Sequence, residues 1–290
     1  MNYFNRFIGR VSDQLSLNYS YSRPSFKYKR MELERLRENL NFVHATTLTK
    51  ENVRAFANEL SIRTPTILAR ENSPEDLLWK ELPSQFVIKP EGGAASRGVF
   101  PIITKDGSLI SLLDGEISIE KISLCIKDLA KKISYHSESI VVEELIIRQD
   151  SYGNFKLLFD WKFYAFQGEI GLIQQIERIG RNKTLVRYYD GDWNDLGCAR
   201  KSDQLNYHLK RPYFPEELIT VAQKLSKIIR FPFVRIDLYE DHKGVLLGEI
   251  TPFPGNLLPF RRDIDKQLGM LWENSEAKLL IQDQYAEKRL

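Results

Sequence analysis

Apolar residues recur at helical spacing in several stretches of the chain and alternate as strands do between them. Phe4, Phe7, Ile8, Val11 and Leu15 line one side of a first segment, with Arg6, Arg10 and Asp13 on the other. Leu33, Leu36 and Leu40 predict a helix over 29–40. Val53, Phe56, Ala57 and Leu60 predict a second over 50–60, with Thr49 at its cap and Lys50 and Arg54 sharing a face. Ser73-Pro74-Glu75-Asp76 has the capping-box pattern with proline at the first helical position, and predicts the start of a third. Ile119, Ile122, Ile126 and Leu129 predict a helix over 118–133. Leu218, Val221, Leu225 and Ile228, turned inward, predict another over 215–229.

Strand patterns fall at 86–90, 99–103 and 140–144, around a glycine-rich loop and the 118–133 helix. Two more, at 159–166 and 170–176, join at Gln167-Gly168-Glu169, and an irregular stretch follows to about Tyr213. A hairpin over 233–251 closes the pattern. The expected class is α+β: a small α+β lid over a larger, mostly antiparallel base. The expected units are an N-terminal arm and helix (1–46), a helical part (47–84), the lid (85–146) and the base (147–290).

With 290 residues and 42% apolar content the chain can build a real core, which excludes a disordered protein. Forty-two Lys and Arg against 39 Asp and Glu leave a net charge of +3, so no nucleic-acid partner is indicated. The charge is uneven, because Arg6, Arg10, Arg23, Lys27, Lys29 and Arg30 face Asp13 alone within residues 1–30. Such a basic amphipathic arm suits peripheral contact with an anionic membrane or a partner, or else packs on its own domain. Cys125 and Cys198 lie far apart, and His44, His136, His208 and His242 have no ligand spacing, so disulfide and zinc frameworks are excluded. No apolar run reaches the roughly 18 residues of a membrane span. The expected location is cytoplasmic, peripheral at the inner face of the membrane if the arm binds lipid.

Candidate chemistry starts with the hairpin. If Gly244 takes the left-handed place in a three-residue loop, Asp241 meets Val245 and Asp237 meets Glu249. Alternation buries Val234, Ile236 and Leu238 and puts Arg235, Asp237 and Tyr239 on the other face with Glu249 and Thr251. Opposed carboxylates about 5 Å apart repel by roughly 3 kcal/mol at an effective dielectric near 20. A hard divalent cation such as Mg2+, completed by nucleotide phosphates, offsets that repulsion; a solvated face neutralised by Arg235 is the plainer alternative. Upstream, the strand at 86–90 ends in Lys89 before a loop holding Gly92, Gly93, Ser96 and Gly98. Small residues let backbone amides approach phosphate oxygens, and Lys89 adds a point charge. The loop matches neither GxxxxGK[ST] nor the Rossmann fingerprint.

Lys50, Val87-Ile-Lys-Pro90, Val142-Glu-Glu-Leu-Ile146, Arg235-Ile-Asp237 and Gly248-Glu-Ile-Thr-Pro-Phe-Pro-Gly255 follow one another in the order seen in ATP-grasp proteins, which the chain resembles from about 47 to 269. Asp160-Trp-Lys-Phe-Tyr-Ala-Phe-Gln-Gly168, Tyr189-Asp-Gly-Asp-Trp193 and Phe231-Pro-Phe-Val-Arg-Ile-Asp-Leu-Tyr239 more narrowly resemble the teichuronopeptide-biosynthesis, TupA-like branch. The resemblance implies Lys50 and Lys89 on ATP phosphates under the glycine loop. It implies adenine against Glu143, Glu144, Leu145 and Ile146, Asp160 at the ribose, and Mg2+ on Asp237 and Glu249. Lys162, Arg178 and Arg235 remain, with Lys89, for the transferred phosphoryl group and the acid substrate, an ion pair being the alternative for each of the first three.

One departure stands out. Amino-acid ligases of this superfamily usually have Glu-x-Asn where this chain has Glu249-Ile-Thr251, so Thr251 or a water is the third metal ligand, Asn256 being poorly spaced for a swap. The activity implied is ATP-dependent ligation of a small carboxylate to an amine through an acyl phosphate, on amino-acid or uronic-acid substrates of cell-envelope polysaccharide assembly. The alternatives are an ATP-grasp kinase acting on a hydroxyl and a nucleotide-binding regulatory module without turnover.

Overall fold

A computed structural model describes residues 24–39, 50–91, 97–132, 139–207, 211–255 and 259–287. The five helices of the described residues are α1 (Phe26–Asn39), α2 (Lys50–Glu59), α3 (Ile119–Lys132), α4 (Pro215–Ile228) and α5 (Arg262–Glu287). The small sheet contains β1 (Ile67–Glu71), β2 (Gln85–Pro90), β3 (Phe100–Lys105), β4 (Ser108–Ser111), β5 (Gly115–Glu116) and β6 (Ile140–Glu144), in the order β1-β6-β2-β3-β4-β5. A two-stranded ribbon of β7 (Ile147–Gln149) and β8 (Phe155–Leu157) follows. The large sheet contains β9 (Asp160–Phe166), β10 (Glu169–Gly180), β11 (Lys183–Tyr189), β12 (Asp195–Gly197), β13 (Val234–Asp241) and β14 (Gly244–Thr251), in the order β12-β11-β10-β9-β13-β14. All paired strands are antiparallel, so the architecture is α+β with mostly antiparallel sheets, as the periodicity predicts.

The two faces of the large sheet are covered differently. Trp161, Phe163 and Ala165 of β9 with Val234, Ile236 and Leu238 of β13 face one way and pack on Val53 and Ala57 of α2 and Leu218, Ala222 and Leu225 of α4. Within α4, Ile228 is exposed rather than inward, because the stripe runs through Ala222. On the opposite face, Tyr164, Phe166, Leu172, Tyr188 and Phe233 pack on Phe26 of α1 and on Ile264, Leu268 and Trp272 of α5. That aromatic cluster covers part of the face. Asp160, Lys162, Arg235 and Asp237, two positions along the same strands, lie beyond it. In the small sheet, Phe86 and Ile88 of β2 pack on Ile122 and Ile126 of α3.

Several elements depart from the expected pattern. The capping-box segment forms one 3-10 turn, Pro74–Asp76, instead of a long helix. Ser73 Oγ donates to Asp76 Oδ2 (3.0 Å) rather than capping a backbone N–H, and Leu77 turns extended and is buried against the small sheet. Burial of Leu77 outweighs the local helix signal. The stretch expected to be irregular up to Tyr213 contains β11 and β12, and β1 precedes the predicted strands.

No element is predicted beyond residue 251, yet α5 is the longest of the described residues. Its inward stripe repeats every fourth residue at Ile264, Leu268 and Trp272. Gly269 lets α5 approach α1: a Cβ there would lie 2.5 Å from the Ser25 backbone nitrogen. Three basic residues of the arm turn inward rather than toward a surface. Lys27 and Arg30 are buried, and Lys29 pairs with Glu276 of α5 at 2.7 Å. Arg6, Arg10 and Arg23 lie outside the described residues.

Candidate active site

The hairpin brings Asp237 directly opposite Glu249. It does so by a different route from the one expected, since Asp241 pairs with Gly244 across the two-residue loop His242-Lys243, one residue shorter than predicted. A bulge at Gly248 then restores the register, with Leu238 opposite Leu247 and Asp237 opposite Glu249. Glycine is required there, because a Cβ on Gly248 would sit 2.4 Å from the Tyr239 ring.

On its other side β13 pairs with β9, placing Lys162 beside Asp237 and Tyr164 beside Arg235. The result is a charged patch on one sheet face. Asp237, 2% exposed, accepts from Arg235 Nε (2.6 Å) and Nη2 (2.8 Å) and from Lys162 Nζ. Lys162 also reaches Asp160 Oδ2 at 3.0 Å, and Arg178 of β10 donates to the same oxygen at 2.7 Å. Burial alone would raise the Asp160 carboxyl, but Lys162 and Arg178 outweigh it and hold it at about 2. Burial opposes charge on Arg178 and Arg235 as well, yet Asp160 and Asp237 raise both. Asp160, followed by burial, pushes the Tyr239 phenol up, so it stays protonated.

Lys162, Arg178 and Arg235 are thus brought together, each on a buried carboxylate. Glu249 is half exposed, 3.9 Å from Arg235 Nη2, and Thr251 Oγ1 accepts from the same nitrogen at 3.2 Å. Asp160, implied as the ribose ligand, is instead sealed beneath its two cations with Oδ1 buried and unbonded. Its geometry suits holding Lys162 and Arg178 in place.

Among the described residues no cluster of three or more His, Cys, Asp or Glu converges on a metal. Mg2+ held by one or two carboxylates, with waters and phosphates completing its shell, needs no such cluster. Asp237, Glu249 and Thr251 are an oxygen-only donor set on adjacent strands and fit that mode, with Asp237 exchanging an N–H donor for the ion.

A second charged group sits in the small sheet. Glu143 on β6, 5% exposed, accepts from Lys89 of β2 and from Arg54 of α2, a partner the motifs did not assign. The side chain of Lys50, together with Gly92, Gly93, Ser96 and Asn256, lies outside the described residues. Gly98 is described: its φ is +69°, and a Cβ would lie 2.7 Å from Leu129 and 2.9 Å from Pro90, so the return end of the loop is wedged against β2 and α3. Arg181, between β10 and β11, donates to Val99 O (3.1 Å) and pairs with Asp114, tying that end to the large sheet. Along the strand implied to meet adenine, the Glu144 N–H already donates to Thr66 O (2.8 Å), Leu145 is buried and Ile146 half-buried, leaving the last two for such a contact.

No curated protein matches the chain. Among solved structures it is similar to D-alanine–D-alanine ligase from Bacillus anthracis, at 17% identity over 81% of this chain and 69% of that one, with a TM-score of 0.47. It is also similar to VanG D-Ala:D-Ser ligase from Enterococcus faecalis, at 13% identity over 80% and 61%, TM-score 0.46. A RimK domain ATP-grasp protein from Sphaerobacter thermophilus gives 10% identity over 77% and 66%, TM-score 0.43. No helix of the described residues is long and apolar enough to cross a membrane. The family profile described as TupA-like ATPgrasp matches residues 31–273, which takes in both sheets and the charged groups around Asp237 and Glu143. The chain belongs to the TupA-like ATP-grasp family.

Proposed function

We propose that this protein is an ATP-dependent carboxylate–amine ligase that forms an amide bond through an acyl phosphate. The observation that carries the reading is the opposition of Asp237 and Glu249 on a face lined by Lys162, Arg178 and Arg235. Asp237, Glu249 and Thr251 would hold Mg2+, which when bound neutralises phosphate charge. Lys89 and Lys50 meet the phosphates, and the loop with Gly92, Gly93, Ser96 and Gly98 covers them and excludes water. Arg235 and Lys162 orient the substrate carboxylate for in-line attack on the γ-phosphoryl group, and Arg178 steadies the developing negative charge. The amine then opens the acyl phosphate, so the enzyme needs no nucleophile of its own.

The acid and amine are of amino-acid or uronic-acid type, and the product serves cell-envelope polysaccharide or peptide-polymer synthesis. The family branch supports that part of the reading. Peripheral membrane contact would rest on residues 1–23, because Lys27, Lys29 and Arg30 are engaged inside the fold. The test is ADP release from the purified protein across a library of acids and amines, with hydroxylamine added to trap acyl phosphate. A hydroxamate formed with one acid is the expected result. ADP release with a stable phosphate ester and no hydroxamate would make the protein a kinase, and nucleotide binding without ADP release a regulatory module.

A further inference from the structure

The chain enters the small sheet through β1 and leaves it through β6, neighbours at one edge of that sheet. Both crossings are fastened to the large sheet. Ahead of β1, Leu247 N–H donates to Arg63 O (2.8 Å), and the Arg63 guanidinium forks onto the two oxygens of Asp241 at 2.8 and 2.9 Å. After β6, Arg148 pairs with Glu177 of β10 and lies over the Phe159 ring at 4.2 Å. That edge is tied down by the chain itself. The edge formed by β3, β4 and β5 is not, so only non-covalent contact holds it to the large sheet.

Arg181 supplies that contact from the turn between β10 and β11. Its Nη2 donates to Val99 O (3.1 Å), and its Nε and Nη2 donate to the two oxygens of Asp114. Its own backbone N–H donates to Leu113 O (3.2 Å), and its guanidinium lies over the Phe100 ring at 4.5 Å. The receiving turn is braced in its own right, because Ser111 Oγ donates to Asp114 Oδ2 (2.6 Å) and accepts from Leu113 N–H (3.2 Å). The side chains of Arg181 and Asp114 are 29% and 16% exposed, so the pair can part into water without stranding a buried charge. Two groups of the proposed reaction depend on this joint. Val99 directly follows Gly98 at the return end of the glycine loop, and Arg178, three residues before Arg181, donates to Asp160 (2.7 Å) on the charged face. Arg181 therefore fixes how far the loop end stands from that face.

We propose that Arg181 is a positioning residue of the ligase: it latches the β3–β5 edge to the large sheet, sets the loop end over the Arg178 face, and parts from Asp114 and Val99 when bound nucleotide leaves. This rests on the ligase reading and deepens it, since it names the joint whose opening controls nucleotide release. The test is stopped-flow dissociation of a fluorescent nonhydrolysable ATP analogue, with Mg2+, from the full chain. Wild type is compared with Arg181→Ala, Arg181→Lys, Asp114→Ala and the double variant Arg181→Ala/Asp114→Ala, each checked for cooperative melting.

Arg181→Ala is expected to release the analogue roughly tenfold faster, the loss of a charge-assisted fork and a backbone acceptor together. Asp114→Ala should speed release severalfold, and the double variant should be no faster than Arg181→Ala, because both substitutions break the same joint. Arg181→Lys should fall between wild type and Arg181→Ala, since it keeps the charge and loses the fork, and it carries the test with Asp114→Ala if Arg181→Ala does not fold. Hydrogen exchange of the nucleotide-free chain gives a second readout: amides of 99–104 and 111–117 should exchange faster in the folded Arg181 variant, and those of β13 should not change. A contact that served stability alone would lower the melting temperature and leave release unchanged, which overturns the proposal. Effects of Arg181→Ala and Asp114→Ala that add in full overturn it as well. If wild type binds the analogue and its release ignores Arg181, the ligase reading stands and the latch falls. If wild type binds no analogue, the ligase reading itself falls and takes the positioning role with it.

Discussion

The two sheets solve the same electrostatic problem in opposite ways. In the large sheet one lysine, Lys162, is shared by two carboxylates, Asp160 and Asp237, with Arg178 and Arg235 closing the ends. In the small sheet one carboxylate, Glu143, is shared by two cations, Arg54 and Lys89. The carboxylates are buried in both, at 1% and 3% for Asp160 and Asp237 and 6% for Glu143, and the cations are partly exposed in both, at 12%, 22% and 15% for Lys162, Arg178 and Arg235 and 18% and 20% for Arg54 and Lys89. The large-sheet network is the more tightly braced, because Asp160 and Asp237 each keep two cations, so an incoming ion that displaces one donor of Asp237 leaves the rest in place. The small-sheet lysine can exchange its carboxylate for an incoming phosphate at little cost, so one sheet holds a rigid template and the other an exchangeable grip.

Removing the shared member on each side sharpens this contrast most. Lys162→Met leaves two buried carboxylates facing each other, and should cost about 3–5 kcal/mol, the loss expected when a buried charge pair is broken. Thermal or urea unfolding measures it. An effect below about 1 kcal/mol would mean that the network is hydrated and adaptable. Acid tests the same group. The folded Asp160 pKa lies near 2, below the ordinary 3.8, so its contribution is complete above about pH 4 and is lost as pH falls toward 2. Acid unfolding should therefore steepen across that window. In Lys162→Met, which removes part of the downward hold, the loss should begin at higher pH.

On the small-sheet side, Glu143→Gln should cost less, about 1–3 kcal/mol, because Arg54 and Lys89 can turn partly to solvent. A loss equal to that of Lys162→Met would erase the distinction between the sheets. The smallest effect is expected at Arg230–Asp283, where both side chains are more than half exposed. Arg230→Ala should change stability by no more than about 0.5 kcal/mol in unfolding titrations, which sets the background against which the buried networks are judged.

Much of this was legible in the sequence because it is periodic. Alternation along 234–238 identified the apolar and charged faces of β13, and helical spacing identified α2, α3 and α4. The opposition of Asp237 and Glu249 was legible too, although the shorter loop and the bulge at Gly248 are two single-residue shifts that cancel. The need for that bulge arises from the Tyr239 ring across the hairpin, which turn chemistry alone does not reveal. The stripe of α5, which follows Pro252, Pro254, Gly255 and Pro259, and the β-branched and aromatic residues of β11, between Gly180 and Gly191, were present as signals too. Arg235 as the neutraliser of one acid was legible, but the other cation partners were not. Lys162 meets Asp237 because β9 lies between β10 and β13, and Arg200 meets Tyr164 from a stretch with no period of its own. Sheet order is a tertiary outcome that no local pattern encodes.

The central claim is that the Asp237 and Glu249 face holds a magnesium-bound nucleotide. The most direct measurement is calorimetric titration of a nonhydrolysable ATP analogue into wild type and Asp237→Asn, with and without Mg2+. The account predicts Mg2+-dependent binding to wild type and a Mg2+ enhancement that disappears in the folded Asp237→Asn variant. Equal, Mg2+-enhanced binding to both proteins would contradict it.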